Sequence, residues 1–234
     1  MNSAFTLRTI CVVALFCLAG AVFGQQTARW LSTSDEAKPY SAIAPRLIAL
    51  AEAVVAAGID EKLYLDRLIE GVRKRASPER IGKALEEETS RLLFMAKELD
   101  SSGIRMTAES RERILADGAL SLRASISRDE FSAVVKKIAV KGASLDRLGS
   151  TLSALAAADP ARIVGTTLRL ELAEAIALSV IQTDRLDSLA AVFARGRSFG
   201  LAPDRIARIV ATELGSGGSL AAVDAALNRE RRQR

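Results

Sequence analysis

Gly200-Leu201-Ala202-Pro203-Asp204-Arg205-Ile206 reads as the end of one helix followed at once by the start of another. Glycine adopts the left-handed conformation that closes a helix, and the aliphatic residue after it folds back onto the last turn. Two residues on, proline takes a first helical position, where its missing N–H is no loss. The acid behind it suits the positive end of the helix dipole.

The same punctuation recurs in both directions. Gly58-Ile59 and Gly103-Ile104 close apolar segments, with Gly142-Ala143 as a weaker copy. Ser77-Pro78-Glu79-Arg80-Ile81 repeats the helix start, down to a basic residue three positions further on (Lys83 and Arg208). Asp159-Pro160-Ala161-Arg162-Ile163 and Ser144-Leu145-Asp146-Arg147-Leu148 are relatives. Ser127-Arg128-Asp129-Glu130 is a capping box, and Thr107, Thr183 and Ser219 are further caps. Apolar periodicity between these marks places helices near 42–57, 60–75, 77–100, 107–124, 127–141, 144–157, 160–182, 184–199, 203–214 and 219–232. The segment 160–182 contains Gly165-Thr166-Thr167 and divides readily into two. No stretch alternates as a strand would. The expected fold is all-α: an array of about ten antiparallel amphipathic helices, an irregular helical repeat or multi-helix bundle.

The N-terminus reads as an address. Its only side-chain charge is Arg8, an apolar run follows from Ile10 to Phe23, and polar residues begin at Gln25. The run is shorter than the roughly 20 residues of a spanning helix and fits a secretory leader. Val22 and Gly24 serve as the small residues before the cut, so residues 1–24 form a cleavable signal; an uncleaved anchor is the alternative. Residues 25–40 (QQTARWLSTSDEAKPY) lack apolar periodicity and read as a flexible lead-in. Residues 41–227 form the helical domain, with a subdomain split near 142–158, and 228–234 a basic C-terminal tail.

Composition removes most chemistry. The chain has no histidine, and its two cysteines, Cys11 and Cys17, both lie in the leader. A mature chain without either residue has no disulfide, zinc finger, His-ligated haem or Ser-His or Cys nucleophile system, and no cofactor is expected. With 25 Arg against 8 Lys and no Asn-x-Ser/Thr acceptor, it fits a bacterial envelope or periplasm.

Other chemistry is sparse. Glu86-Glu87-Glu88 sits mid-helix, where successive side chains diverge, and reads as a solvated face. Gly215-Ser216-Gly217-Gly218 lacks the Lys-Ser/Thr and preceding strand of a phosphate loop and reads as a turn ahead of Ser219. Ser132 and Lys136 are helix neighbours with nothing to activate the lysine. Glu109-Ser110 is too common a dipeptide to mark a glycan-cleaving site, but Glu171 and Glu174, beside Arg169, would share a proton if buried together.

The +5 charge, from 33 Lys+Arg against 28 Asp+Glu, is concentrated at one end. Arg8 leaves with the signal, and residues 228–234 hold Arg229, Arg231, Arg232 and Arg234 against Glu230. Those four arginines are the candidate contacts for an anionic partner. Export and the absence of aromatics among them exclude nucleic acid. The function expected is that of an exported non-enzymatic helical module that binds protein partners or itself. The alternatives are a peripheral membrane protein held by the Arg-rich tail or an uncleaved anchor, and a carboxylate-dependent cell-wall-active enzyme.

Overall fold

Helix-closing glycines and capping side chains partition the chain as local hydrogen-bond chemistry requires. The computed structural model describes residues 24–141 and 145–233. The leader up to Phe23, Gly142-Ala143-Ser144 and Arg234 lie outside the described residues. The fold is all-α, with no strand among the described residues.

Contacts divide the chain into two compact units, one ending at Leu93 and one beginning at Phe94. The first holds α1 (Gln25–Thr33), a 3-10 segment (Asp35–Ile43), α2 (Ala44–Ala56) and α3 (Glu61–Arg73). The division falls within α4 (Pro78–Ser101). The second unit continues with α5 (Ala108–Ala124), α6 (Arg128–Val140), α7 (Leu148–Ala158), α8 (Thr166–Leu178), α9 (Ser188–Ser198), α10 (Pro203–Gly215) and α11 (Leu220–Arg232). Short 3-10 turns precede α7 (Leu145–Arg147) and α9 (Thr183–Arg185). The division does not fall near 142–158, because α7 is the centre of the second unit. It packs on α5, α8 and α9, and buries Leu148, Leu152, Ala154, Leu155 and Ala158.

Helix ends follow the sequence signals closely. At Gly200 (φ 75°) the N–H of Leu201 bonds Gly196 O at 3.1 Å and that of Gly200 bonds Arg197 O at 2.9 Å, the two bonds of a Schellman end. Gly58 closes α2 with the same pair. Gly217 (φ 82°) closes α10 with it as well, after which Ser219 caps α11 through Ala222 N. The capping box of α6 is complete, with Ser127 Oγ accepting from Glu130 N and Glu130 Oε2 from Ser127 N.

Three expectations are corrected. Residues 25–40 are not a flexible lead-in but helix α1 and most of the 3-10 segment. Tertiary contacts order them: Thr27 is fully buried, Ala37 and Tyr40 join the core, and Tyr40 donates to Ala76 O at 2.7 Å. Residues 160–165 do not start a helix. Asp159 accepts the N–H groups of Ile163 and Val164, Arg162 takes φ 52°, and α8 begins at Thr166. Thr183 caps no α-helix; it opens the 3-10 turn ahead of α9. The helix expected over 219–232 is present as α11, which carries the basic residues up to Arg232 on its last turns.

The resemblance between the two helix starts extends to packing. Gly71 and Gly196 both accept the closing bond of a Schellman end, from Ala76 and Leu201, and Ile81 and Ile206 stand at equal offsets beyond them. A Cβ built on Gly71 would lie 3.3 Å from Ile81 Cγ1, and one on Gly196 would lie 2.7 Å from Ile206 Cδ1. In each unit the glycine therefore lets the isoleucine of the next helix settle onto the backbone of the preceding one. The turn residue differs: Gly200 in one unit and Arg75, at φ 54°, in the other.

Candidate partner-binding surface

The C-terminal arginines sit on α11, which packs on α10 and α9. Ser219 starts this helix, Val223, Ala226 and Leu227 bury its inner face, and cations occupy its last turn, where the helix dipole is negative. Arg229 pairs with Glu213 at 3.3 Å, and the Arg231 guanidinium lies 5.0 Å from the Phe199 ring centroid. The one acid of the segment, Glu230, receives two bonds from Arg205, at 2.9 and 2.7 Å, which raise the Arg205 pKa. Arg232 is exposed, and no ion pair forms to it among the described residues. The structure therefore ties Arg229 and Arg231 down and leaves Arg232 presented; Arg234 lies outside the described residues. Arg208, on α10, joins Arg205 and Arg229 along a shallow groove of about 300 Å³ between α10 and α11.

A second surface lies around the ends of α6 and α8. Leu178, 43% exposed, and Lys141 line a cleft of about 500 Å³ that also takes in Glu171, Glu174 and the glycine-rich end of α10. Val140 and Val180, 87% and 72% exposed, are the chain neighbours of Lys141 and Ser179, and Val180 borders a smaller pocket against Leu220. Arg147 holds the end of α8 in place by donating to Ser179 O at 2.5 Å and to Ile176 O at 3.3 Å. Here apolar side chains face solvent on a framework fixed from beneath.

The carboxylates raised as an acid/base pair do not share a proton. Glu174 accepts from Lys137 at 2.7 Å and lies 3.7 Å from Lys141. The Lys137 bond above all, with charge from both lysines, holds its carboxyl below the usual range. Glu86 pairs with Arg46, whereas Glu88 is buried and lies 3.0 Å from Arg91. The acidic run is thus two separate ion-pair sites, only part of it a solvated face. Among the described residues no group of three metal-ligating side chains converges.

The most concentrated charge was hidden in the sequence. Arg169 is 1% exposed; its Nε donates to Glu130 Oε1 at 2.7 Å, its Nη1 to Asp159 Oδ2 at 2.5 Å and its Nη2 to Ser125 O at 3.3 Å. Arg162 adds a bond to Glu130 Oε2 at 3.1 Å from the solvent side. Burial pushes the Glu130 carboxyl up, but the Ser127 N–H and Arg169 outweigh it and hold it low. One guanidinium thus joins the α5–α6 turn, the α6 capping box and the end of α7. The only sequence signal was an arginine set among Ala and Leu in α8. Arg169, Glu130 and the Asp159 carboxylate are all paired, so the network acts as a clamp, and the Ser125 hydroxyl beside it is buried without a hydrogen-bond partner.

Compared with models of known protein families, with characterised proteins and with solved structures, the chain gives no match.

Proposed function

We propose that this chain is an exported, non-enzymatic helical module of the bacterial envelope that works by binding a protein partner or a second copy of itself. The observation that carries this reading is the exposure of three aliphatic side chains near the ends of α6 and α8: Leu178, which lines the cleft, Val140, the chain neighbour of its Lys141, and Val180, which lines a second pocket. Solvent-facing aliphatic side chains on a rigid frame lose water favourably when a partner covers them, at roughly 25 cal/mol per Å². The secretory leader pattern supports the location.

The test is site-specific photocrosslinking in intact envelopes from positions 140 and 180. The reading expects a discrete adduct that Val180→Asp abolishes. Monomer alone in envelopes and in concentrated solution would refute it.

Arg208 and Arg232, exposed and without ion pairs among the described residues, support a second reading, contact with an anionic membrane surface. Each cation would add about 1 kcal/mol near the lipid headgroups. Co-sedimentation with anionic vesicles that falls with salt and with Arg232→Gln supports it. Full solubility at low salt with vesicles present rules it out.

A further inference from the structure

Arg75 holds φ 54° at the corner between α3 and α4, where the second unit has Gly200 at φ 75°. Backbone bonds build this corner. Arg75 N–H bonds Val72 O at 2.8 Å and Ala76 N–H bonds Gly71 O at 3.2 Å, and Gly200 and Leu201 form the same pair in the second unit. A glycine takes the conformation without the clash that a Cβ brings. Two positions earlier the first unit carries Arg73 where the second carries Ser198. The two arginines are therefore additions that the corner does not require, and backbone strain of this kind concentrates at ligand sites.

Arg73 and Arg75 line one pocket of about 600 Å³, a volume that suits a small ligand. Its apolar wall is Pro39, Tyr40, Val72 and Pro78, and Glu36 contributes a carboxylate. Tyr40 is buried and its hydroxyl donates to Ala76 O at 2.7 Å, which fastens the wall to the corner. Arg73, Arg75 and Glu36 are exposed, and none of their side chains forms an ion pair among the described residues. Lys74, between the arginines in sequence, is taken up by Glu70. The pocket thus holds two unpaired cations and one unpaired acid.

We propose that this pocket binds the C-terminal carboxylate of a short peptide whose last side chain is apolar. A guanidinium meets a carboxylate through parallel N–H groups, and the two carboxylate oxygens have lone pairs enough for both arginines. Tyr40, Val72 and the two prolines give the adjoining apolar side chain a surface on which it sheds water. Glu36 accepts an N–H of the peptide and sets the charge. Two arginines less one glutamate leave +1 around the pocket, which matches a monoanionic carboxylate and disfavours a phosphate dianion. An internal Asp or Glu would bring two flanking chain segments to a pocket of small-ligand size, whereas a chain end brings one. The site uses none of the residues of the apolar surface proposed above and stands or falls independently of it.

The experiment titrates the purified protein by calorimetry with acetyl-Ala-Leu as the free acid, with its C-terminal amide, and with inorganic phosphate. Wild type is compared with Arg73→Gln and Arg75→Gly. Glycine takes φ 54° freely, so Arg75→Gly keeps the corner and separates binding from folding. The free acid should saturate the wild type, and the amide should bind at least about tenfold more weakly, as the loss of a charge-assisted hydrogen bond requires. Each arginine variant should weaken the free acid by at least about the same tenfold factor, with Arg75→Gly melting no lower than wild type. Equal affinity for acid and amide would overturn the carboxylate role, and undiminished binding in either arginine variant would overturn the two-arginine site. No saturable binding at millimolar free acid, or tighter binding of phosphate than of the free acid, would overturn the peptide assignment.

Discussion

Replacing Arg169 with methionine removes the centre of the buried charge network and leaves Glu130 and Asp159 facing each other's environment without their shared cation. Four bonds go at once: to Glu130, to the Asp159 carboxylate and carbonyl, and to Ser125 O. Removing one partner of a buried ion pair costs about 3–5 kcal/mol, because the remaining charge is stranded away from water. For a unit of about 140 residues this corresponds to a fall in Tm of roughly 10–15 °C. Urea denaturation followed by circular dichroism measures the loss, and hydrogen exchange at Ile163 and Val164, whose amides bond Asp159, localises it. The pH dependence carries a sign. Glu130 is held below its ordinary pKa, so its contribution is present above the ordinary carboxylate range and disappears as pH falls through the lower folded value. Without Arg169, burial dominates and the acid-induced loss begins at higher pH. Adding Glu130→Gln and Asp159→Asn to Arg169→Met should recover part of the loss. A destabilisation below about 1 kcal/mol, the range of exposed pairs, would refute the assignment of the network as a buried clamp.

Three further outcomes follow from the packing. Gly196→Ala should destabilise the second unit by about 1–3 kcal/mol through overpacking, more than Gly71→Ala does the first, and Ile206→Val should relieve only part of it, since the Cγ1 contact at 2.7 Å remains; equal thermal shifts for the two alanines would contradict the contact distances. Arg75→Gly should stabilise by about 1 kcal/mol in urea titration, since a non-glycine residue there holds φ 54°; loss of stability would mean that the Arg75 side chain outweighs its backbone strain. Burial raises the Asp117 pKa, with Asp187 acting the same way and Arg113 opposing. A carboxyl raised in the folded state favours folding at low pH and loses that contribution as pH rises through its folded value. Asp117→Asn should therefore unfold at a higher temperature than wild type near neutral pH, with the gap closing in acid; a gap that widens in acid would reverse the assignment.

The candidate surfaces were legible only in part. The arginine cluster at residues 228–234 stood out by composition, yet its state depended on groups far off in sequence. Glu213 takes Arg229, Phe199 takes Arg231, and Arg205 takes the acid between them. The exposed aliphatic residues at the ends of α6 and α8 gave no signal, because Val140 and Leu178 continue aliphatic patterns that elsewhere in the same helices are buried, and Val180 lies just past α8. The pairing of Glu174 with Lys137 likewise joins two helices that sequence spacing does not connect.

What the sequence determined by itself was the all-α character and many of its helix boundaries. Backbone bonds in helices, Schellman ends and capping boxes link residues at most five apart, so Gly58, Gly200, Ser127 and Ser219 act wherever their own neighbours place them. Tertiary structure decided what depends on distant partners. Residues 25–40 are too short and polar to hold a helix alone, and become ordered because Glu61 caps α1 and Tyr40 reaches Ala76. Arg75 turns the chain without a glycine because packing of Ile81 against Gly71 fixes the corner. Arg169 is buried because two acids and two carbonyls, from the α5–α6 turn, the start of α6 and the end of α7, enclose it. A burial of that kind has no local pattern, since the energy that permits it lies entirely between elements.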